Sequence, residues 1–403
     1  MTPAPRLLVT ADRLLIGPDE AVDGGGILLS GGRVLWAGPL GRLPDDAAPA
    51  ALERHNGACI VPGLIDAHVH LAFRFGADLT LRLSEHDVAV LAAPARDVCG
   101  RLVAAGVTTV RDLGSPGRLV HEIRDAVERG NLMGPRIVSS GPPLTSPAGH
   151  LAAFGVEIED DRDAAAAVRQ IAALGADVVK VIATGGALTP GTALGRAQLS
   201  TSAISAAVAA AARLGLLVAV HAHGTEGIAR AVEAGAHSIE HCSWMNAGGE
   251  VAAPEAALVQ QMAERHQVAV IAGPLPEDLV ARPRHDPSMA GRRLLAIWDN
   301  AKSLAERGVV LALGSDAIFG QFDDAHDLAW RAQCMVELGG FEPVQVLRAI
   351  WAGGAAALGL VGEIGRLAAG ARADIAVLEG DPRHDISALH RLRAVYVAGT
   401  RLA

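Results

Sequence analysis

The stretch that decides the fold is GLIDAHVH, residues 63–70, an apolar run that ends with two histidines two positions apart. In a β-strand alternate side chains point to the same face, so His68 and His70 leave the strand on one side. Neutral imidazoles placed in this way can ligate one metal ion. Because the chain contains 15 histidines, the spacing alone is a weak signal. The position of the pair at the end of a strand gives it weight.

Seven further short apolar runs follow, most of them separated by Ala-rich stretches that favour helix. This alternation is typical of parallel β/α units. Eight such units would close a barrel of about 250 residues, in which catalytic residues come from the C-terminal ends of the strands. The predicted strands are residues 63–70, 107–114, 135–141, 176–185, 216–224, 238–243, 267–273 and 309–317.

The two ends of the chain have a different pattern. Residues 6–40 consist of short apolar runs divided by Gly and Asp, which is typical of antiparallel strands joined by tight turns. Residues 373–382 and 393–403 repeat this style. We therefore predict a barrel over residues 61–359 and one composite small β domain formed by residues 1–60 and 360–403.

Composition excludes several classes of protein. The chain has no continuous apolar run of the length that crosses a membrane. Its first 16 residues include three charges and lack the apolar core of a signal peptide, so a cytoplasmic location is expected. A net charge of −9 without a basic cluster argues against nucleic acid or an anionic membrane as partner. The four cysteines show no paired spacing, which predicts buried thiols.

Lys180 lies within the apolar run DVVKVIA, where an unpaired ammonium group would be costly. Lys180 and Lys302 are the only lysines among 35 basic residues, so arginine fills almost every other cationic position. A desolvated lysine loses its proton readily. Its neutral amine can add carbon dioxide and become a carbamate that bridges two cations, which arginine cannot do. The alternative is a lysine that snorkels or pairs with a carboxylate at the barrel mouth.

Three more strand ends carry potential ligands. His221 lies in VAVHAHG, His241 in SIEHCS and Asp316 in LGSDA. A single histidine at a strand end is more often a hydrogen-bonded core residue, but six such side chains on five strand ends favour a metal site. Four imidazoles and a carboxylate suit zinc best, and manganese, iron or cobalt are compatible with the same ligand types.

Taken together, these segments resemble the amidohydrolase superfamily, and the resemblance covers nearly the whole chain. It implies an α/β protein with a distorted (β/α)8 TIM barrel and a small β-sandwich domain built from both termini. Within the superfamily, VKVIATGG followed by VHAHG is most similar to zinc-dependent dipeptidases, carboxypeptidase-like enzymes and ochratoxin-type amidases. The segments that carry the resemblance are PGLIDAHVH, VVKVIATGG, VHAHG, IEH, LGSDA and GEIGRLAAGARADIAVLEGDP.

The resemblance also implies a site for two divalent metal ions, for which zinc is best suited. The first histidine pair would bind the more buried ion and the second pair the more exposed one, with a CO2-derived carbamate on the lysine between them. The aspartate would contact the first ion and act as general base. A metal-bridging hydroxide would cleave a C–N amide bond in a dipeptide, an N-acyl amino acid or a related small-molecule amide. The implied ligands are His68, His70, Lys180, His221, His241 and Asp316.

Substrate contacts are predicted in three places. His150, in the loop GPPLTSPAGHL, and His223 resemble positions that face the substrate and stabilise the carbonyl oxyanion, which makes both candidate catalytic residues. The alternatives are a histidine that packs a loop and one that supports a metal ligand. Arg282 and Arg284, with His285, follow the seventh strand and could receive a substrate carboxylate. An exposed loop arginine usually has no such role.

Other functions remain open on the same residues. Dipeptidases of this subgroup commonly bind substrate with a tyrosine near the lysine-bearing strand, but the single tyrosine here is Tyr396, in the predicted small domain. A lactonase or other ester hydrolase is the alternative function, and a phosphotriesterase would use the same ligands. Lys180 argues against a deaminase with one metal. A metal-free scaffold is disfavoured because every expected ligand position is filled. The resemblance implies a homo-oligomer.

Overall fold

The computed structural model describes residues 5–49, 51–72, 85–273, 275, 289–318 and 327–403. The strands are β1 (Leu7–Gly17), β2 (Glu20–Ser30), β3 (Arg33–Pro39), β4 (Ala51–Pro62), β5 (Leu64–His70), β6 (Val107–Asp112), β7 (Arg136–Ser139), β8 (Leu144–Thr145), β9 (Val156–Glu157), β10 (Val178–Ile182), β11 (Leu217–Gly224), β12 (Ser238–Met245), β13 (Val268–Ile271), β14 (Val310–Leu313), β15 (Ala317–Ile318), β16 (Ile375–Leu378), β17 (Leu392–Val397) and β18 (Thr400–Arg401).

The α-helices alternate with the strands through the middle of the chain. A π-helical turn, Ala349–Gly353, joins α9 to α10, and 3-10 turns occur at Leu40–Arg42 and Ile386–His390. The helices are α1 (Glu85–Ala104), α2 (Leu119–Glu128), α3 (Asp161–Leu174), α4 (Thr201–Ala212), α5 (Thr225–Ala234), α6 (Ala256–Glu264), α7 (Met289–Glu306), α8 (Asp327–Glu337), α9 (Pro343–Arg348) and α10 (Gly354–Ala357).

All eight predicted central strands are present, as β5, β6, β7 and β10 to β14. They form two parallel sheets, one in the order β15-β5-β6-β7 and the other in the order β14-β13-β12-β11-β10-β8-β9. Every residue of β5 and β12 is buried. Strands covered on both faces bury whatever polar side chains they contain, here including Asp66, His68 and Glu240. The α/β class with parallel strands is confirmed, and closure into a barrel stays a prediction.

The two ends of the chain share a third sheet, in the order β18-β17-β16-β4-β1-β2-β3. The first three strands pair antiparallel, as their turn residues predict. β4 pairs parallel to β1 and antiparallel to β16, so this strand joins the C-terminal strands to the N-terminal ones. Tyr396 lies on β17 in this sheet and is buried. The second layer that a sandwich requires stays a prediction.

Helix α3 shows how local sequence positions a functional strand. Its N-cap residue, Asp160, accepts a hydrogen bond from the backbone N–H of Asp163, and the helix ends at Gly175 in the left-handed conformation. Such a carboxylate cap and glycine terminus fix both ends of a helix. The buried face, including Val168 and Ile171, packs in one apolar cluster with Val179 of β10. The strand that carries Lys180 is therefore held in place by apolar contacts.

Two expectations about the chain's environment can be compared with the structure. Within the described ranges, no helix combines the length and apolar character needed to cross a membrane. Cys59, Cys99, Cys242 and Cys334 are all buried, as predicted.

The π-helical turn gives a test of the packing. A Cβ atom added to Gly353 would lie 1.8 Å from the carbonyl oxygen of Leu311 on β14. We expect Gly353→Ala to lower the free energy of unfolding by about 1–3 kcal/mol or more, because this backbone contact cannot yield easily. Denaturant unfolding measures the change. Gly41→Ala is the control, since its added Cβ meets no atom within 4 Å. Equal stability of the two variants would contradict this packing.

Candidate metal centre

The predicted ligands meet at the C-terminal ends of the parallel strands. His68 and His70 end β5, while His221 and His241 lie on β11 and β12. Asp316 lies in the turn between β14 and β15, and its backbone N–H donates to the carbonyl of His68 at 2.8 Å. All five side chains are buried. The structure therefore brings together residues that are almost 250 positions apart in sequence.

One group consists of His68, His70 and Asp316, whose ligand atoms all lie within 4.8 Å of one another. Asp316 Oδ1 is 3.5 Å from His68 Nε2 and 3.4 Å from His70 Nε2. The backbone of Asp316 has a φ of 56°, in the left-handed region that residues with side chains rarely adopt. Strained conformations of this kind concentrate at functional sites, where the surrounding structure maintains them.

A second group consists of His221, His223 and His241, again with ligand atoms within 4.8 Å of one another. The ring centroids of His221 and His241 are 4.6 Å apart, and the rings of His223 and His241 stack at 4.2 Å. The two groups adjoin, because the ring centroids of His68 and His241 are 4.9 Å apart. His223, which was predicted to face the substrate, therefore lies directly beside the candidate ligand His241.

Each histidine has one ring nitrogen engaged in a hydrogen bond, which fixes the direction of the other. The partners of Nδ1 are Glu240 Oε2 for His68 (2.8 Å), Gly114 O for His70 (3.3 Å), Ala272 O for His241 (3.2 Å) and Ser243 Oγ for His223 (3.0 Å). In His221 the engaged atom is Nε2, which is 3.1 Å from Gly185 O. His221 would therefore offer Nδ1 to a cation, whereas the other histidines would offer Nε2.

Glu240 is a functional residue that the sequence reasoning missed. Its carboxylate accepts hydrogen bonds from His68 Nδ1 and from Arg111 Nη2, both at 2.8 Å, and from Ser238 Oγ at 2.6 Å. Arg111 and Glu240 are fully buried. Burial pushes the pKa of Glu240 upward, but the Arg111 cation and the His68 contact lower it to about 2. A charged residue inside each apolar strand, in VTTVRDL and SIEHCS, was the available signal.

Lys180 is the third of five residues in β10 and is buried. Its Nζ has no hydrogen-bond partner among the residues that the structure describes. Burial is the main cause that lowers the pKa of Lys180 to about 8, and the Glu240 carboxylate opposes that shift. A buried amine without a partner is costly. It is also the group that becomes a metal-binding carbamate, so this donor set fits the predicted pair of cations.

Electrostatics favour the neutral imidazole at four of the site's histidines. Burial lowers the pKa of His68 and of His223 to about 4, and it lowers the pKa of His221 and His241 well below 6.5. Neutral imidazole is the form that binds metal ions. Burial would raise the pKa of Asp316, but its contacts with the two histidines of its group lower the pKa below the ordinary value. The site therefore combines neutral nitrogen ligands with an ionised carboxylate.

The histidines open onto a cavity of about 470 Å³. His150, in the turn after β8, lines this cavity, with its ring centroid 4.9 Å from that of His221 and its Nδ1 3.0 Å from Thr189 Oγ1. His223 lines it as well. Both predicted substrate-facing histidines are thus in reach of a bound molecule. Arg282 and Arg284 lie outside the described residues.

Fold and site define the class: an α/β protein whose parallel strand ends carry clustered histidines and a carboxylate. The chain matches the Amidohydrolase family over residues 59–402. It is 29% identical to ochratoxinase from Aspergillus niger over 377 residues, covering 85% of this chain and 74% of that enzyme. A crystal structure of a Xaa-Pro dipeptidase with bound methionine superimposes with a TM-score of 0.81 at 25% identity, over 98% of this chain and 99% of that one.

The crystal structure of A. niger ochratoxinase superimposes with a TM-score of 0.83 over 99% of this chain and 95% of that one, at 24% identity, which shows the shared fold. The chain belongs to the amidohydrolase family. It is a hydrolase of that family, and the resemblance found in the sequence is confirmed, including its dipeptidase and ochratoxinase subgroup.

Glu240 gives a test of the site's support. We expect Glu240→Gln to reduce metal affinity about 10- to 100-fold, because His68 loses its carboxylate partner, and to destabilise the fold by about 3–5 kcal/mol, because Arg111 stays buried without a counter-charge. Titration with a metal chelator and denaturant unfolding measure the two effects. Glu233→Gln, at an exposed position on α5, is the control. If Glu240→Gln matched that control in both measurements, the contacts of Glu240 with His68 and Arg111 would not support the site or the fold.

Proposed function

We propose that the protein is a binuclear metal-dependent amidase that cleaves the C–N bond of a dipeptide, an N-acyl amino acid or a related small amide. The observation that carries the proposal is the buried Lys180 amine on β10, which has no hydrogen-bond partner among the described residues and lies in a site where two groups of candidate ligands adjoin. The relatives agree with amide chemistry, since a Xaa-Pro dipeptidase is among the similar structures.

In this proposal His68, His70 and Asp316 would hold one cation, His221 and His241 would hold the other, and Lys180, as a carbamate, would be a ligand of the pair. Zinc suits nitrogen-rich sites of this kind best. When bound, the two cations would lower the pKa of a water molecule and polarise the scissile carbonyl. The fit rests on the nitrogen and carboxylate donors and on the orientation of each histidine by its own hydrogen bond.

The chain's own residues would handle the proton and the substrate. Asp316 is ionised, so its carboxylate can accept a proton from water and pass it to the leaving nitrogen. His150 and His223 line the cavity and would orient the carbonyl oxygen and stabilise the charge that develops on it.

We also propose that the two parallel sheets close into the (β/α)8 barrel of residues 61–359. Backbone hydrogen bonds support closure at both gaps between the sheets. The N–H of Asp177, just before β10, donates to Ser139 of β7 at 2.9 Å, and the N–H of Asp316 donates to His68 of β5 at 2.8 Å. A closed ring of strands would direct every C-terminal end toward one centre, which is what the site requires.

The proposal is tested by metal analysis of the purified protein, together with a hydrolysis screen of N-acyl amino acids, dipeptides and lactones. Near two equivalents of metal with amide turnover would support it. Two metals with turnover of lactones alone would replace it with the ester-hydrolase alternative. Absence of bound metal, even after incubation with zinc and bicarbonate, would overturn the mechanism.

Lys180→Ala should lower metal content and remove most of the activity, because the residue offers the one side chain that can form the bridge. Added short carboxylates such as acetate or propionate should restore part of both. Elemental analysis and initial rates, with and without the added acid, measure these effects. The matched control is Lys302→Ala, which removes the other lysine, at a helix surface where it pairs with Asp299. Full metal content and full turnover in Lys180→Ala would exclude a bridging lysine.

Asp316→Asn should reduce kcat about 10²- to 10⁴-fold, because the amide cannot accept the proton. KM should change little, since the cavity wall stays the same. Steady-state kinetics at constant metal occupancy separates the two constants, and Asp45→Asn, at an exposed position, is the control. Turnover at the parent rate would remove Asp316 as the base.

A further inference from the structure

The cavity above the histidines has a wall that the metal site does not explain. Leu188, Leu194, Met245 and Ile297 line it with apolar side chains. A cavity of about 470 Å³ with such a wall suits a small molecule that carries an apolar group. Arg293, in the N-terminal part of α7, lines the same cavity. The metal site does not explain why a positively charged guanidinium lies on this largely apolar wall.

Arg293 is half-buried, and it has neither a hydrogen bond nor an ion pair with any residue in the described ranges. Arg111, the other buried arginine nearby, pairs with Glu240, while Arg331 donates from Nη2 to the carbonyl of Ser315 at 3.1 Å and has no partner for its Nε among the described residues. Among the described residues that line the cavity, Asp316 is the carboxylate, and it contacts His68 and His70. Among the described residues, therefore, none that lines this wall pairs with the charge of Arg293.

The guanidinium of Arg293 extends from α7 toward the loop that follows β12. Arg293 Nη2 lies 3.6 Å from where a Cβ of Gly249 would be, so the side chain reaches the loop that follows β12. Its positive charge also acts on His223, contributing to the low pKa of that imidazole. The guanidinium therefore lines the same cavity as the histidines.

We propose that Arg293 binds a free carboxylate of the substrate, so that the amide cleaved in this cavity is one whose molecule carries a carboxylate beside an apolar group. A guanidinium matches a carboxylate with two parallel N–H donors, which gives orientation as well as affinity. This inference rests on the proposed amidase function and names its substrate class. Arg293 would thus bind the substrate carboxylate, the role predicted from the sequence for Arg282 and Arg284.

The experiment uses two probe substrates with the same scissile amide. N-Acetyl-leucine carries the carboxylate, and N-acetyl-3-methylbutylamine is the same molecule without it. Arg293→Gln should lower kcat/KM for the first about 10- to 100-fold, mainly through KM, because a hydrogen bond to a charged group is lost. It should leave the second within about twofold. Arg293→Lys should retain part of the discrimination. Arg307→Gln, an exposed arginine just after α7, is the charge-matched control.

Calorimetric binding of N-acetyl-leucine to the metal-loaded protein gives a readout that does not need turnover. Binding that depends on Arg293, without hydrolysis by the parent protein, would uphold the carboxylate contact and count against the amidase. Hydrolysis of both probes with equal efficiency, unchanged in Arg293→Gln, would uphold the amidase and overturn the contact. Equal losses on both probes would also overturn it, since a general defect affects them alike. The absence of both binding and hydrolysis would overturn the carboxylate contact and the amidase proposal together.

Discussion

The structure depends on one buried carboxylate, that of Glu240. Through it β12, in one parallel sheet, is linked to Arg111 on β6 and His68 on β5, in the other. Arg111 also donates to the carbonyls of Ala67 and Ala357, at 2.8 and 2.9 Å. Removing one partner of such a network costs far more than the network contributes by itself, because a buried charge is left alone. The same group therefore fixes both the relation of the two sheets and the direction of a ligand.

Burial shapes the charge of the site. It lowers the pKa of His68, His221, His223 and His241, which favours their neutral form, and it lowers the pKa of the Lys180 amine against the opposing effect of Glu240. Neutral nitrogen donors repel an incoming cation far less than protonated ones would. The Asp316 carboxylate adds the negative charge that a pair of cations requires. Desolvation, which is usually a cost, is thus the condition that prepares the ligands.

Sequence alone predicted the central strands and the side chains at their ends, because parallel strands impose a simple rule: buried runs are apolar, and polar residues appear where a strand ends. His70 and Asp316 follow that rule, and Lys180 was recognised as a lone charge inside an apolar run. Glu240 and Arg111 do not, since each is buried within a strand. Their charges can be buried there only because the two side chains pair with each other. They come from strands of different sheets, and no local pattern records that contact. The sequence predicted the position of His223 only from its spacing to His221, whereas its contact with His241 becomes evident only in the folded structure.

The same distinction explains why the substrate is harder to predict than the reaction. The proposed metal ligands lie on strands or, for Asp316, in the turn between two strands. Their positions are fixed by hydrogen-bond ladders and by packing such as that of α3 on β10. Groups that face the rest of the substrate lie on loops and on the start of α7, where neither periodicity nor strand register constrains them. Arg293 therefore has no signal in the sequence beyond its charge, and its role becomes visible through an absence of compensation. A cation that none of the described neighbours neutralises, on an apolar wall of the cavity that the histidines line, favours a ligand that brings its own negative charge.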